Sequence, residues 1–174
     1  HRGGAIFQSN SDIEVIAYII AQERLETASI EEAVLNAMDK IKGAYSMVMM
    51  APSRLIGVRD PRGFRPLCIG KLGKNYIITS ESCVFDSLGG EFVRDVEPGE
   101  MVVIDDEGVH SYKNNCGGKT SLCLFEFVYF ARPDSVLDGM CVNIARQRAG
   151  IELAKEHPVE ADMVCAVPDC GIDA

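Results

Sequence analysis

Asp12 follows Ser11 at the point where an apolar helical period begins. A carboxylate there can sit on the positive end of a helix dipole, an arrangement worth up to about 1 kcal/mol. It can also receive a ligand ammonium. Spacing alone favours the first role. Asp60, Arg62 and Arg65 surround the turn Asp60-Pro61-Arg62-Gly63. Turn chemistry plus a surface ion pair is the plainer expectation for them. Arg132-Pro133-Asp134-Ser135 directly follows an apolar run. Loops at strand ends often carry sites, and a solvated turn accounts for these residues at least as well. Cys123 has a thiolate's capacity to ligate a metal, but a lone Cys in an apolar stretch is usually core packing. Gly117-Gly118-Lys119-Thr120 has the tail of a phosphate loop without the leading glycine or a preceding strand, and it reads as a linker. No complete phosphate loop, dinucleotide fingerprint or His-Glu-x-x-His pattern occurs. His1, His110 and His157 make no zinc pattern with the cysteines.

The elements that must position these residues fall into three stretches. Two helices come first. Ser11 with Glu14, and Ser29 with Glu32, have the spacing of capping boxes. Ile13, Ile16, Ala17 and Ile20 form one apolar face; Ala33, Val34, Ala37, Met38 and Ile41 form the other. From residue 44 the period shortens. Strands are expected over 44–51, 55–59, 67–69, 76–79, 101–104 and 109–112, with a short helix over 82–88. Asp105-Asp106-Glu107-Gly108 is a hairpin signal. Helices followed by close-set strands imply an α+β layout with an antiparallel sheet. Residues 113–120 form the best linker, and the chain divides near residue 121. Beyond it, a strand over 122–130, a helix over 142–156 and a buried strand over 163–167 would open a parallel α/β domain.

Bulk composition bounds the partners. The 174 residues are 47% hydrophobic and 25% charged, ordinary for a globular domain. Seventeen basic against 26 acidic residues give a net charge of −9, which repels a nucleic-acid backbone. A small phosphorylated ligand is not excluded, since one pocket can carry the opposite sign. The apolar runs fall far short of the roughly 20 residues a bilayer needs. Seven cysteines, an odd count without a Cys-x-x-Cys pair, favour reduced thiols and a cytosolic (cytoplasmic) compartment. His1-Arg2-Gly3-Gly4 opens the chain without a start Met, as though cut from something longer, and the end at Ala174 reads the same way.

Several runs, taken in order, resemble one family. Ser11-Asp12-Ile13-Glu14 is similar to the Ser-Asp-x-Glu segment of the N-terminal-nucleophile glutamine amidotransferases. Gly43-Ala44-Tyr45-Ser46, the run Arg59-Asp60-Pro61-Arg62-Gly63-Phe64-Arg65-Pro66-Leu67, Thr79-Ser80-Glu81-Ser82 and Arg94-Asp95-Val96-Glu97-Pro98-Gly99-Glu100 continue the match. The run FEFVYFARPDS, residues 125–135, is the most specific and resembles the amidophosphoribosyltransferases. Val167-Pro168-Asp169 looks like the opening of a phosphoribosyltransferase domain.

The resemblance implies an αββα sandwich, residues 1–121 being the C-terminal part of a glutaminase domain. Residues 122–174 would be a linker strand and the start of a phosphoribosyltransferase domain. The full enzyme would release ammonia from glutamine and use it to displace pyrophosphate from phosphoribosyl pyrophosphate, giving 5-phosphoribosylamine, the first step of purine synthesis. Asp12 matches the aspartate that holds the α-amino group of glutamine. Some members carry a [4Fe–4S] cluster, with one ligand at the position of Cys123. Mg2+ would serve the phosphoribosyltransferase part, and the full-length enzyme would be a homo-oligomer without nucleic-acid or membrane partners. The family's amino-terminal Cys nucleophile, its carboxylate-gripping Arg and its Asn-Gly oxyanion hole would lie upstream, and its Asp-Asp phosphoribosyl loop downstream. Position 170 is Cys where Ser is expected. This stretch alone is therefore expected to be inactive. The alternatives are a related amidotransferase such as an asparagine synthetase, or a non-catalytic module that kept the fold.

Overall fold

A computed structural model describes residues 6–174 of the chain, so His1 and the opening glycines lie outside the described residues. Helix α1 spans Asp12–Glu26 and α2 spans Ile30–Lys40. Ser11 caps α1 by accepting the Ile13 N–H, and Ser29 caps α2 by accepting the Glu32 N–H. The reciprocal half of each box is displaced. Glu14 reaches back to the Gln8 and Ser9 N–H groups, both at 2.8 Å, and Glu32 to Ala28 N–H at 3.1 Å. The chain before each cap curls over the helix start, so the carboxylate finds donors upstream of the cap. On α2 the expected stripe of Ala33, Val34, Ala37 and Met38 is buried. Lys40 and Glu23 join the two helices by an ion pair.

Seven strands make two antiparallel sheets. Strands β1 (Ser46–Ala51), β2 (Arg54–Arg59), β6 (Met101–Asp105) and β7 (Gly108–Tyr112) form one, in the order β1-β2-β6-β7. Strands β3 (Cys68–Leu72), β4 (Asn75–Thr79) and β5 (Glu91–Asp95) form the other, in the order β4-β3-β5. Strand β5 was not anticipated: Glu91 to Val93 lie exposed and its alternation is faint. The pleat of the central strands assigns their two faces. Ile56, Val58, Met101 and Val103 pack against Val34 and Met38 of α2. Val102, between the last two, packs against Ile69 of the second sheet and Leu67 just before it. Gly57 makes the close approach of the sheets possible, because a Cβ there would stand 3.0 Å from Ile78. Helix α3 (Cys83–Leu88) covers the far side, its Phe85 filling the space over Gly70, where a Cβ would come within 2.3 Å of the ring. The fold is α+β, layered from the helix pair through two sheets to α3.

Beyond residue 121 two expectations fail. Within the run 122–130, residues 124–130 are helical, closing in a π-type turn over Glu126–Phe130. A short unbroken apolar run carries no period that separates strand from helix. Here the outward side chains are Leu124, Phe125, Val128, Tyr129 and Phe130, while Cys123 and Phe127 turn inward together with Glu126, which pairs with Arg65 at 2.5 Å. Residues 163–167 form no strand, and Met163, Val164 and Val167 are exposed. Among the described residues no strand lies beside them to take their backbone hydrogen bonds. The expected parallel α/β start is thus represented only by its helix, α4 (Val142–Glu156). A two-residue hairpin, β8 (Val136–Leu137) and β9 (Met140–Cys141), leads into it.

Candidate functional site

Asp12 is the first helical residue of α1, exposed, and its carboxylate has no hydrogen bond or ion pair among the described residues. A first-turn carboxylate at that place lies against the positive end of the helix dipole. The neighbouring Ile13 begins an apolar groove of about 510 Å³ between α1 and β1, lined by Ile16, Ala17 and Ile20 on one side and residues 46–51 on the other. The groove explains why the apolar stripe of α1 is not buried: it lies along the outer strand of the sheet, and Ile13 remains 74% exposed.

A second cleft, about 530 Å³, opens between residues 41–44 and the turn at Asp60, Pro61, Arg62 and Phe64. Asp60 is buried at its base. Its carboxylate accepts the Arg62 and Phe64 N–H groups, both at 2.9 Å, which is the turn chemistry expected. The expected surface ion pair at this turn is not formed: Arg65 turns away to Glu126, and its guanidinium lies 4.7 Å from the centre of the Phe130 ring.

The preceding residue, Arg59, was read only as the end of a strand. It is fully buried and carries more polar contacts than any predicted site residue. Its guanidinium donates to the carbonyls of Arg65 (2.9 Å), Val96 (2.8 Å) and Gly63 (3.1 Å), and to both carboxylate oxygens of Asp138. Asp95 faces the same cluster. Burial, and then the charge of Asp138, push its carboxyl up to about 6, against the pull of Arg59. The Arg132–Asp134 pair is an exposed ion pair, as a solvated turn would give, but Ser135 beside it is buried.

Cys123 is buried, and its backbone N–H is held by the Phe64 carbonyl at 3.0 Å. Among the described residues no three His, Cys, Asp or Glu side chains come together as a metal site. Cys123 thus has no set of companion donors for an iron–sulfur cluster among the described residues. All seven cysteines are free thiols. No helix of the described residues is long and apolar enough to cross a membrane.

The family model described as glutamine amidotransferase domain matches residues 1–87, half of the chain. The chain belongs to the glutamine amidotransferase domain family. Its relatives share more than that domain. It is 45% identical over 171 residues to the amidophosphoribosyltransferase of Archaeoglobus fulgidus, covering 98% of this chain and 37% of that one. With the Bacillus subtilis amidophosphoribosyltransferase it is 43% identical over 171 residues, covering 98% of this chain and 36% of that one. The solved glutamine phosphoribosylpyrophosphate amidotransferase from B. subtilis, complexed with ADP and GMP, superposes with a TM-score of 0.92 at 42% identity. That match covers 99% of this chain and 37% of that one. The chain spans a little over a third of the length of these relatives.

Within an amidotransferase domain the contacts now assign weight differently from the sequence. Asp12 is placed where a ligand could reach it. Arg59, Glu81, Ser82, Glu126 and Asp138 were not singled out. The available signals were a cationic residue closing an apolar strand, and an Asp-Gly pair at a hairpin, neither of which names its partner.

Proposed function

We propose that this chain is the central part of an amidophosphoribosyltransferase. In this reading the full-length protein releases ammonia from glutamine and passes it to phosphoribosyl pyrophosphate, expelling pyrophosphate and leaving 5-phosphoribosylamine. The observation that carries it is the 45% identity to such an enzyme across 98% of the chain, continuing well past the amidotransferase match. The layered fold supports the finer reading of an N-terminal-nucleophile sandwich over residues 1–121, and the start of a phosphoribosyltransferase domain over 122–174 is argued from the identity that runs on through those residues.

Asp12 is the residue of this chain that the reading uses directly. Its unpaired carboxylate at the start of α1 would accept hydrogen bonds from the α-ammonium of glutamine, a charge-assisted contact that strengthens once water is excluded. The attacking cysteine thiolate, the oxyanion donors and the phosphoribosyl loop would come from parts of the protein outside these residues. Mg2+ would neutralise the pyrophosphate of the second substrate there. Any cluster would need ligands beyond Cys123. A cytoplasmic, homo-oligomeric enzyme without nucleic-acid or membrane partners completes the reading, in keeping with the net charge of −9.

The test is to express the full-length protein and measure pyrophosphate release from phosphoribosyl pyrophosphate. Release driven by glutamine, and by ammonia in its place, is expected. Glutamine-dependent asparagine formation would assign the protein to the asparagine synthetases instead. Absence of both would mean a non-catalytic relative.

A further inference from the structure

Residues 131–138 face two ways. On one side they are gripped by side chains of the amidotransferase domain. Glu81 accepts the Arg132 N–H and the Ser135 hydroxyl, each at 2.8 Å. The Ser82 hydroxyl accepts the Val136 N–H at 2.8 Å. The buried Arg59 fork meets the two oxygens of Asp138 at 2.9 and 2.8 Å. On the other side the same residues hold the start of α4. The Ser135 carbonyl accepts the Val142 N–H and the Pro133 carbonyl the Asn143 N–H, both at 3.0 Å. From α4, Arg146 reaches back to the carbonyls of Phe127 and Ala131 at 2.8 Å each.

This chemistry is suited to fixing geometry. A buried ion pair contributes little net stability, because desolvation offsets the attraction. A bidentate guanidinium–carboxylate pair does constrain distance and angle together. Asp138 is also held in the left-handed region, at φ 46°, at the hairpin tip, so its carboxylate has little freedom to miss Arg59.

We propose that residues 131–138 are the joint that fixes α4, and the second half of the full-length enzyme with it, on the amidotransferase domain, and that Asp138 is a positioning residue for the passage of ammonia between the halves. This rests on the reading under Proposed function. Ammonia is small and miscible with water, where it is protonated to non-nucleophilic ammonium, so a gap between the halves would lose it without harming either half-reaction.

The experiment uses the full-length protein with Asp138→Asn, which tolerates the same backbone conformation, and Ser135→Ala, which keeps the buried volume. Amide exchange is followed by mass spectrometry. Glutamine hydrolysis, ammonia-driven pyrophosphate release and glutamine-driven pyrophosphate release are measured in parallel. Exchange over residues 131–141 should rise about tenfold. The two half-reactions should stay within about twofold of the parent while product formed per glutamine consumed falls about threefold or more. Unchanged exchange with an unchanged product ratio would overturn the proposal. So would a loss of all three activities in step, the mark of general destabilisation. If Asp138→Asn does not fold, Ser135→Ala decides. A parent protein that hydrolyses no glutamine and uses no phosphoribosyl pyrophosphate would sink the functional reading and the ammonia role, and the exchange pattern would still decide the joint.

Discussion

Arg94 holds Glu100 by two hydrogen bonds, 2.8 and 2.7 Å long, across the connection from β5 to β6. Glu100 is fully buried, and its carboxylate also accepts the Glu97 N–H at 2.7 Å and the Ser111 hydroxyl at 2.5 Å. Each carboxylate oxygen thus receives one Arg94 nitrogen and one further donor.

Glu100→Gln is therefore not a mild change. Whichever oxygen becomes an amide nitrogen meets two donors, so the variant should lose about 3 kcal/mol of stability in urea unfolding. A loss below about 1 kcal/mol would show that the network rearranges. Burial pushes the Glu100 carboxyl up, but the bonds from Arg94, Ser111 and Glu97 outweigh it and leave it below its usual 4.5. Its stabilisation is present above that pH and is lost as the pH falls further.

Asp95 should behave in the opposite sense. Its carboxyl lies at about 6 in the fold against 3.8 in an exposed chain. The folded state binds the proton more tightly, so this group's contribution is full below pH 4 and disappears as the pH rises through 6. Asp95→Asn should remove that slope. Melting temperatures of parent and variant, taken every half unit from pH 4.5 to 7.5, should diverge toward neutral pH, with the variant higher there. Parallel curves would refute the placement of the charge.

Gly99 has φ 84°, and a Cβ on it would lie 2.1 Å from the Asn115 carbonyl oxygen. The obstacle is backbone, which cannot swing aside. Gly99→Ala should lower stability by about 2–4 kcal/mol and detach residues 113–116 from their contact at Gly99. Urea unfolding together with proteolysis at Lys113 measures both effects; a variant that melts like the parent and is cut no faster would contradict the contact.

Asp12→Ala, made in the full-length protein, should raise the glutamine KM by about tenfold or more, because a charged ligand contact is removed. Turnover with ammonia should be retained. An equal fall in both would make Asp12 a structural first-turn acid and nothing else.

The two N-terminal helices were legible because caps and period agree: Ser29 both ends a turn and starts the stripe of Ala33, Val34, Ala37 and Met38. Most strands were legible from alternation and turn residues. The run 122–130 misled because its apolar content is nearly unbroken, while the side chain that decides its orientation is the charged Glu126, whose partner Arg65 lies 61 positions away. The same distance in sequence hides the joint. Arg59 and Asp138 stand 79 positions apart, and each has an ordinary local explanation, a strand end and a turn. Asp12 was legible as a helix-start acid, and the family resemblance gave it a substrate.

The chain writes β1 and β2 into one sheet, leaves to build all of β3, β4 and β5 in the other, and returns with β6 to pair with β2. Pairing β2 with β6 therefore closes a loop that contains the whole second sheet. Contacts so distant along the chain cost closure entropy before they return any energy, so folding should be slow for a domain of this size. The second sheet is written in one stretch of chain, but its inner face stays uncovered until β6 returns to β2 and brings Val102 against it. The two should gain and lose structure in one kinetic event, and a defect such as a side chain on Gly57, between the sheets, should slow the formation of both.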